Sequence, residues 1–110
     1  MQYQKVIEQL GYSAREAKVY LASLRLGEAH ISDIAEKVGM PRTSVQAIMD
    51  RLYADGLVNF YVMRRYKYWV AENPKHILFS LQKKEEVLLE AIPALSEIRK
   101  IASRKVYKEN

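Results

Sequence analysis

The stretch ISDIAEKVGMPRTSVQAIMDRLYADG, residues 31–56, decides the fold. Apolar residues recur at helical spacing up to Gly39, which predicts a short helix that we expect Ser32 to cap. A second helix is predicted from Pro41, because proline is favoured in a first helical turn, where its missing amide would be unpaired anyway. Two helices joined by a tight turn at Gly39 have the proportions of a helix-turn-helix. The second helix is predicted to bury Val45, Ile48, Met49 and Leu52.

The outward face of this second helix carries side chains that suit DNA. In a helix-turn-helix the second helix lies in the major groove, and its first residues meet base edges and phosphates. Arginine can bind guanine with two hydrogen bonds, glutamine can bind adenine, and an alanine methyl can contact thymine. Hydroxyls and free amides of a first helical turn suit a phosphate. The predicted DNA-contacting residues of this helix are Arg42, Thr43, Ser44, Gln46 and Ala47.

Two more helices are predicted upstream. Apolar spacing gives a short helix over residues 3–10. The segment Ser13-Ala14-Arg15-Glu16 is a capping box, which opens a helix that Gly27 ends. A brief extended stretch is expected around residues 29–31.

Beyond Gly56 the apolar period changes from 3.6 to 2, which predicts a β-hairpin. The predicted strands cover residues 57–63 and 67–71, with a turn over residues 64–66 that lacks the usual glycine or asparagine. Arg64, Arg65 and Lys67 concentrate positive charge at this turn. A basic hairpin after three helices is the arrangement of a winged helix, whose wing contacts the DNA backbone or minor groove. Alternatively, the charges only prevent the exposed hairpin from pairing with other strands.

From Pro74 to about residue 104 the pattern is helical, and we expect a kink at Pro93 rather than a break. Alternating four- and three-residue steps form a heptad seam, interrupted only by Lys84, which predicts a homodimer. The first helix is expected to pack against the partner's long helix; alternatively, the long helix folds back on its own core. The predicted interface comprises Val6, Ile7, Leu10, Ile77, Leu81, Leu88, Ala91, Leu95, Ile98 and Ala102.

The predicted fold class is therefore mainly α with a small β-hairpin, a winged helix-turn-helix followed by a long C-terminal dimerisation helix. Residues 1–73 form the DNA-binding domain and residues 74–110 the dimerisation helix. A length of 110 residues, 49% of them hydrophobic and 28% charged, is typical of one globular domain.

The charge distribution points to a polyanionic partner. The formal net charge is +5. Residues 1–56 hold seven bases and seven acids, whereas residues 57–110 hold eleven bases and six acids. The excess clusters at residues 64–67 and 99–108, as in proteins that bind nucleic acid.

Several classes of site are not expected. Without cysteine there is no disulfide, thiolate metal site or thiol nucleophile. Glu28, His30 and Asp33 are close in sequence, but no second histidine lies nearby, so we predict no metal site and no cofactor. No catalytic motif stands out, so an enzyme is not predicted. Neither a signal peptide nor a transmembrane segment is expected.

Tyrosines are numerous around the predicted hairpin. Half-buried packing of the sheet explains them most simply. The alternatives are an aromatic small-molecule pocket near the dimer seam and a stacking platform for single-stranded nucleic acid. The cluster comprises Tyr53, Tyr61, Tyr66, Tyr68 and Trp69.

Four segments resemble the winged-helix domain of TrmB-like transcriptional regulators of archaea and bacteria: LGYSAREAKVYLASL, ISDIAEKVGMPRTSV, the DGLV entry to the hairpin and the YWVAENP exit. The resemblance covers about residues 10–75. This chain has Gln46 where the family usually has tyrosine, and Arg64-Arg65-Tyr66 where the wing tip usually carries glycine.

The resemblance implies a cytoplasmic, sequence-specific regulator that binds double-stranded DNA as a homodimer. The alternative is a winged helix that serves as a protein-interaction module in a larger transcription or chromatin assembly. Because the sequence stops at Asn110, where relatives continue into a sugar-binding domain, we do not expect sugar sensing. The sequence does not identify a small-molecule effector.

Overall fold

Five helices and one two-stranded antiparallel sheet make up the protein in a computed structural model, which describes residues 2–107 and the side chains of residues 2–104. This confirms the predicted fold class. The elements are α1 (Tyr3–Gln9), α2 (Ala14–Leu26), α3 (Ile31–Val38), α4 (Arg42–Ala54), β1 (Val58–Met63), β2 (Tyr66–Ala71) and α5 (Lys75–Tyr107). The chain divides into two compact units, the first ending at Ile77 and the second beginning at Leu78.

Side-chain caps set where α2 and α3 begin. The capping box of α2 is confirmed: Ser13 Oγ accepts the Glu16 amide at 3.1 Å, and Glu16 Oε1 accepts the Ser13 amide at 2.8 Å. The prediction that Ser32 caps α3 is wrong, because the carboxylate of Asp33 accepts the amide of His30 at 3.1 Å and His30, two residues before Ser32, is the cap residue. Similarly, Pro41 precedes α4 as its cap residue instead of forming its first turn.

The core of the first unit lies between α2, α3, α4 and the base of the hairpin. Three of the four residues predicted to be buried in α4 are fully buried, namely Val45, Met49 and Leu52. Ile48 is only half-buried. Tyr20 is also buried, and its loss of hydration raises the pKa of its phenol.

Leu52→Ala tests this core. Removing a fully buried leucine leaves a cavity, so the free energy of unfolding should fall by about 2–5 kcal/mol, measured by urea denaturation. The matched control is Leu24→Ala in α2, where the side chain is exposed and the loss should be small. Equal losses in the two variants would contradict the assignment of α4 to the core.

The hairpin is confirmed with a shorter turn than predicted. Phe60 pairs with Trp69 and Met63 with Tyr66, so the turn consists of Arg64 and Arg65 alone. The predicted extended stretch near residue 29 is a single antiparallel bridge. The Trp69 amide donates to the Ala29 carbonyl at 2.7 Å, and the Ala29 amide donates back at 3.0 Å. This bridge attaches the base of the hairpin to the segment that leads into α3.

The second unit consists of α5 from Leu78 onward. Pro93 lies inside α5 and does not end it. Large apolar side chains along α5 are exposed, including Val87, Leu88, Leu89, Ile92, Leu95, Ile98 and Ile101. In residues 2–107 no helix is long and apolar enough to cross a membrane.

Candidate nucleic-acid interface

The beginning of α4 presents the side chains predicted to read DNA. Arg42, Thr43 and Ala47 are exposed, while Ser44 and Gln46 are half-buried. Gln46 is already engaged, because its Nε2 donates to Asp50 Oδ1 at 2.8 Å. The second hydrogen of Nε2 and the oxygen Oε1 stay available, so Gln46 can bind adenine while Asp50 holds its amide in place.

Two contacts with the beginning of α2 fix the other end of α4. Arg51 donates to the buried carboxylate of Glu16 at 2.6 Å, and the same carboxyl group caps α2. Tyr12 Oη donates to Asp55 Oδ2 at 2.7 Å, and the Arg51 guanidinium lies 5.5 Å from the centre of the Tyr12 ring. Sequence reasoning missed these anchors because its only signal was the capping box. Together they join the C-terminal end of α4 to the segment where α2 begins.

The hairpin, hereafter the wing, ends in two exposed arginines. Arg64 and Arg65 form the turn with φ of +51° and +73°. Positive φ at both central residues is the geometry of a two-residue type I′ hairpin turn. The tip thus holds two guanidinium groups at the extreme end of the wing.

Lys67 has a different environment from the two arginines. Its Nζ lies 3.9 Å from the ring centre of Phe60 and 4.5 Å from that of Trp69. These are cation–π contacts on the face of the wing that packs on the core. Lys67 therefore has an intramolecular role in addition to the DNA contact predicted for it.

The opposite face of the wing carries an aromatic stack that includes His30. The His30 ring lies 4.5 Å from the Tyr68 ring and 5.8 Å from the Tyr66 ring, and Tyr61 stacks on Tyr68 at 5.3 Å. His30 Nδ1 is 2.9 Å from the carbonyl oxygen of Lys67, so Nδ1 carries the proton and donates it. A hydrogen bond with Glu28 raises the pKa of the Tyr61 phenol, which stays protonated at neutral pH.

Sheet packing thus accounts for Tyr61, Tyr68 and Trp69, which are half-buried or buried on the wing, whereas Tyr53 and Tyr66 are exposed. His30 joins the beginning of α3 to the wing. The sequence did not predict this role of His30. Its only signal was the extended stretch that was predicted just before α3.

His30→Ala tests this link. The variant loses one hydrogen bond and the ring contact with Tyr68, so the free energy of unfolding should fall by about 1–2 kcal/mol in urea denaturation. The control is His76→Ala, which removes a half-buried histidine of α5 whose Nε2 lies 3.9 Å from Glu72 Oε2. If His30→Ala lowers the free energy of unfolding no more than His76→Ala does, the role assigned to His30 is wrong.

A helix-turn-helix formed by α3 and α4 and packed on α2, followed by a β-hairpin with a charged tip, defines a winged helix-turn-helix of the kind found in transcriptional regulators. A family model described as "Sugar-specific transcriptional regulator TrmB" matches residues 7–74, more than half of the chain. The chain belongs to this family of transcriptional regulators. The family is one of regulators and not of enzymes.

Solved structures share the fold at low sequence identity. TrmBL2, an archaeal chromatin protein whose structure is described as showing a novel mode of DNA binding, is 14% identical with a TM-score of 0.77. The match covers 97% of this chain and 41% of TrmBL2, so this chain spans about two fifths of that protein.

Two bacterial regulators also share the fold. An ArsR-like regulator from Rhodococcus sp. RHA1 is 17% identical, with a TM-score of 0.57 and coverage of 91% of this chain and 92% of its own. A MarR-like regulator from Thermotoga maritima is 22% identical, with a TM-score of 0.56 and coverage of 92% and 76%. No curated protein sequence matches the chain.

Proposed function

We propose that this regulator binds specific sequences in double-stranded DNA as a homodimer, in the cytoplasm. The observation that carries the proposal is that one domain exposes Arg42 at the first turn of α4 and Arg64 and Arg65 at the tip of the wing. Winged helices place these two regions on the major groove and on the adjacent backbone or minor groove. We assign base reading to Arg42, Gln46 and Ala47. Phosphate contacts are assigned to Thr43, Ser44, Arg64, Arg65 and Lys67.

The polar face of α4 favours DNA over a protein partner. A helix that binds protein typically presents apolar or aromatic anchors at the centre of its interface. Among the residues assigned to the interface on α4, Ala47 is the one apolar side chain, and it is small. A protein-interaction module is therefore the second candidate.

The homodimer is supported by the apolar seam of α5. Leu88, Leu95 and Ile98 are each more than half exposed in the single chain. Burial of such a stripe against a second copy is the general driving force for helix pairing. The interface that we propose is centred on these residues, with Leu81, Ala91 and Ala102 along the same seam, Val6 from α1 and Leu10 directly after α1.

Two residues that were predicted to lie in the dimer interface are buried within the single chain. Ile7 and Ile77 are 7% and 8% exposed in the single chain, so the core of the first unit already covers them. Their contribution to a dimer is indirect, through the positions of α1 and of the beginning of α5.

Selection from a random duplex pool tests the proposed specificity. A homodimer should enrich a pseudo-palindrome with half-sites about 10 base pairs apart or a multiple of this spacing. Arg42→Ala and Gln46→Ala should each reduce discrimination at a defined base by about 1–3 kcal/mol. If the wild type enriches no sequence, specific DNA reading is ruled out and the protein-interaction module becomes the better proposal.

A further inference from the structure

The charged residues that line a groove on the first unit are mainly basic, although bases and acids are equal in number over the segment that forms it. Residues 1–56 hold seven bases and seven acids. A groove of about 710 Å³ between α1, α2 and the end of α3 is lined by four of those bases but by only one of the acids, Glu8. We call it the basic groove. Its bases are Lys5, Lys18, Arg25 and Lys37.

The basic groove combines these charges with apolar surface. Leu21, Ala22 and Val38 contribute apolar lining, and the exposed ring of Tyr3 lies beside them. The ion pairs of the described residues, Arg51 with Glu16 and His76 with Glu72, involve none of the groove's bases. Unpaired cations around apolar surface suit an occupant that is both acidic and apolar, as an amphipathic helix is.

The chain carries such a helix face on α5. Residues 85–97 contain four glutamates and no base. Glu86, Glu90 and Glu97 follow steps of four and seven residues, so they lie on one side of α5, opposite Leu88 and Leu95 of the seam. We call these three glutamates the acidic stripe. All three are exposed, and none forms an ion pair within residues 2–104.

The spacing of charges matches between the two surfaces. Lys18 and Arg25 are seven residues apart on α2, as Glu90 and Glu97 are on α5. At 1.5 Å per residue, both pairs span about 10.5 Å. A helix that lies along α2 can therefore pair both glutamates with both bases at once. Ile101, one turn beyond Glu97 and nearly half exposed, adds apolar surface next to the stripe.

We infer that the acidic stripe of one copy binds the basic groove of a second copy. This contact extends the proposed self-association and does not depend on DNA binding. It uses the face of α5 that the apolar seam leaves open, so the seam and the stripe can be occupied together. Because it depends on charge pairs at the surface, it weakens as salt is added, unlike the apolar seam.

Charge reversal on the full chain provides the test. One variant carries Lys18→Glu and Arg25→Glu, and the other carries Glu90→Lys and Glu97→Lys. Each alone sets like charges against each other, so its association constant at low salt should fall about tenfold in sedimentation equilibrium. An equimolar mixture should return to within about threefold of the wild type, because each groove then meets a stripe of opposite charge.

Several outcomes would overturn the inference. One is that each variant alone has the association constant of the wild type. Another is that the equimolar mixture associates no more strongly than either variant alone. Loss of DNA affinity in the groove variant, with unchanged self-association, would show that the groove binds phosphate instead. The neutral pair Lys18→Gln/Arg25→Gln should weaken association less than the reversal does, and it replaces the reversal if that variant does not fold. Arg64→Ala/Arg65→Ala should lower DNA affinity but leave self-association unchanged, which separates this inference from the proposed function.

Discussion

The variant Arg42→Ala/Arg64→Ala/Arg65→Ala is expected to lose most of its affinity for duplex DNA at moderate salt. Each cation that neutralises a phosphate releases condensed counterions, so the slope of log affinity against log salt should become shallower by about one unit for each phosphate that is no longer neutralised. A titration of labelled duplex at several salt concentrations measures both the affinity and the slope. Removal of the wing arginines alone should weaken all sequences similarly, whereas removal of Arg42 should also reduce discrimination between them.

The control removes the same number of charges from another part of the chain. Lys83→Ala/Arg99→Ala/Lys100→Ala has the same net charge as the triple variant, but its substitutions lie on α5. If the two variants have equal affinities and equal slopes, binding depends only on net charge and the proposed interface is wrong. Unchanged affinity and slope in the first variant would rule out DNA contact by all three arginines.

Leu88→Glu/Leu95→Glu is expected to convert a homodimer into a monomer at a salt concentration that screens the charge pairs between the acidic stripe and the basic groove. Each leucine is 53% exposed in the single chain, and a second α5 would bury both. A carboxylate at either position would have to lose its hydration without a partner, which is strongly unfavourable. Sedimentation equilibrium at tens of micromolar, without DNA, measures the effect.

The matched control adds two carboxylates away from the seam. Gln82→Glu/Ser96→Glu changes exposed positions on another side of α5 and should not lower the association constant. A wild type that is monomeric at these concentrations would exclude the proposed dimer. So would a Leu88→Glu/Leu95→Glu variant that dimerises as well as the wild type.

Local sequence signals predicted the helices and strands, because each one follows from the spacing of its own apolar residues and from the cap or turn residues at its ends. The capping box at Ser13, the change of period after Gly56 and the heptad spacing of α5 depend on neighbouring residues alone. The errors arose where two local signals competed. Ser32 is a good cap residue, but the carboxylate of Asp33 reaches the amide of His30, and that bond sets the beginning of α3.

Contacts between distant segments could not be predicted from the sequence. Arg51 is 35 residues from Glu16, and His30 is 37 residues from the carbonyl that it binds. Nothing in the spacing of such residues marks them as partners. The same applies to the basic groove, whose charges come from three helices and are balanced along the sequence.

The turn of the wing joins a demanding backbone geometry to the most prominent charges of the proposed interface. For residues other than glycine and asparagine, the left-handed conformation costs about 1–2 kcal/mol per residue, and Arg64 and Arg65 both adopt it. A chain optimised for folding alone would place Asn-Gly at this turn. The wing tip is therefore a position where thermostability and charge oppose each other. Replacing Arg64 and Arg65 by Asn-Gly relieves the backbone of the turn but removes both guanidinium groups. A variant that keeps both arginines has to gain stability elsewhere in the domain.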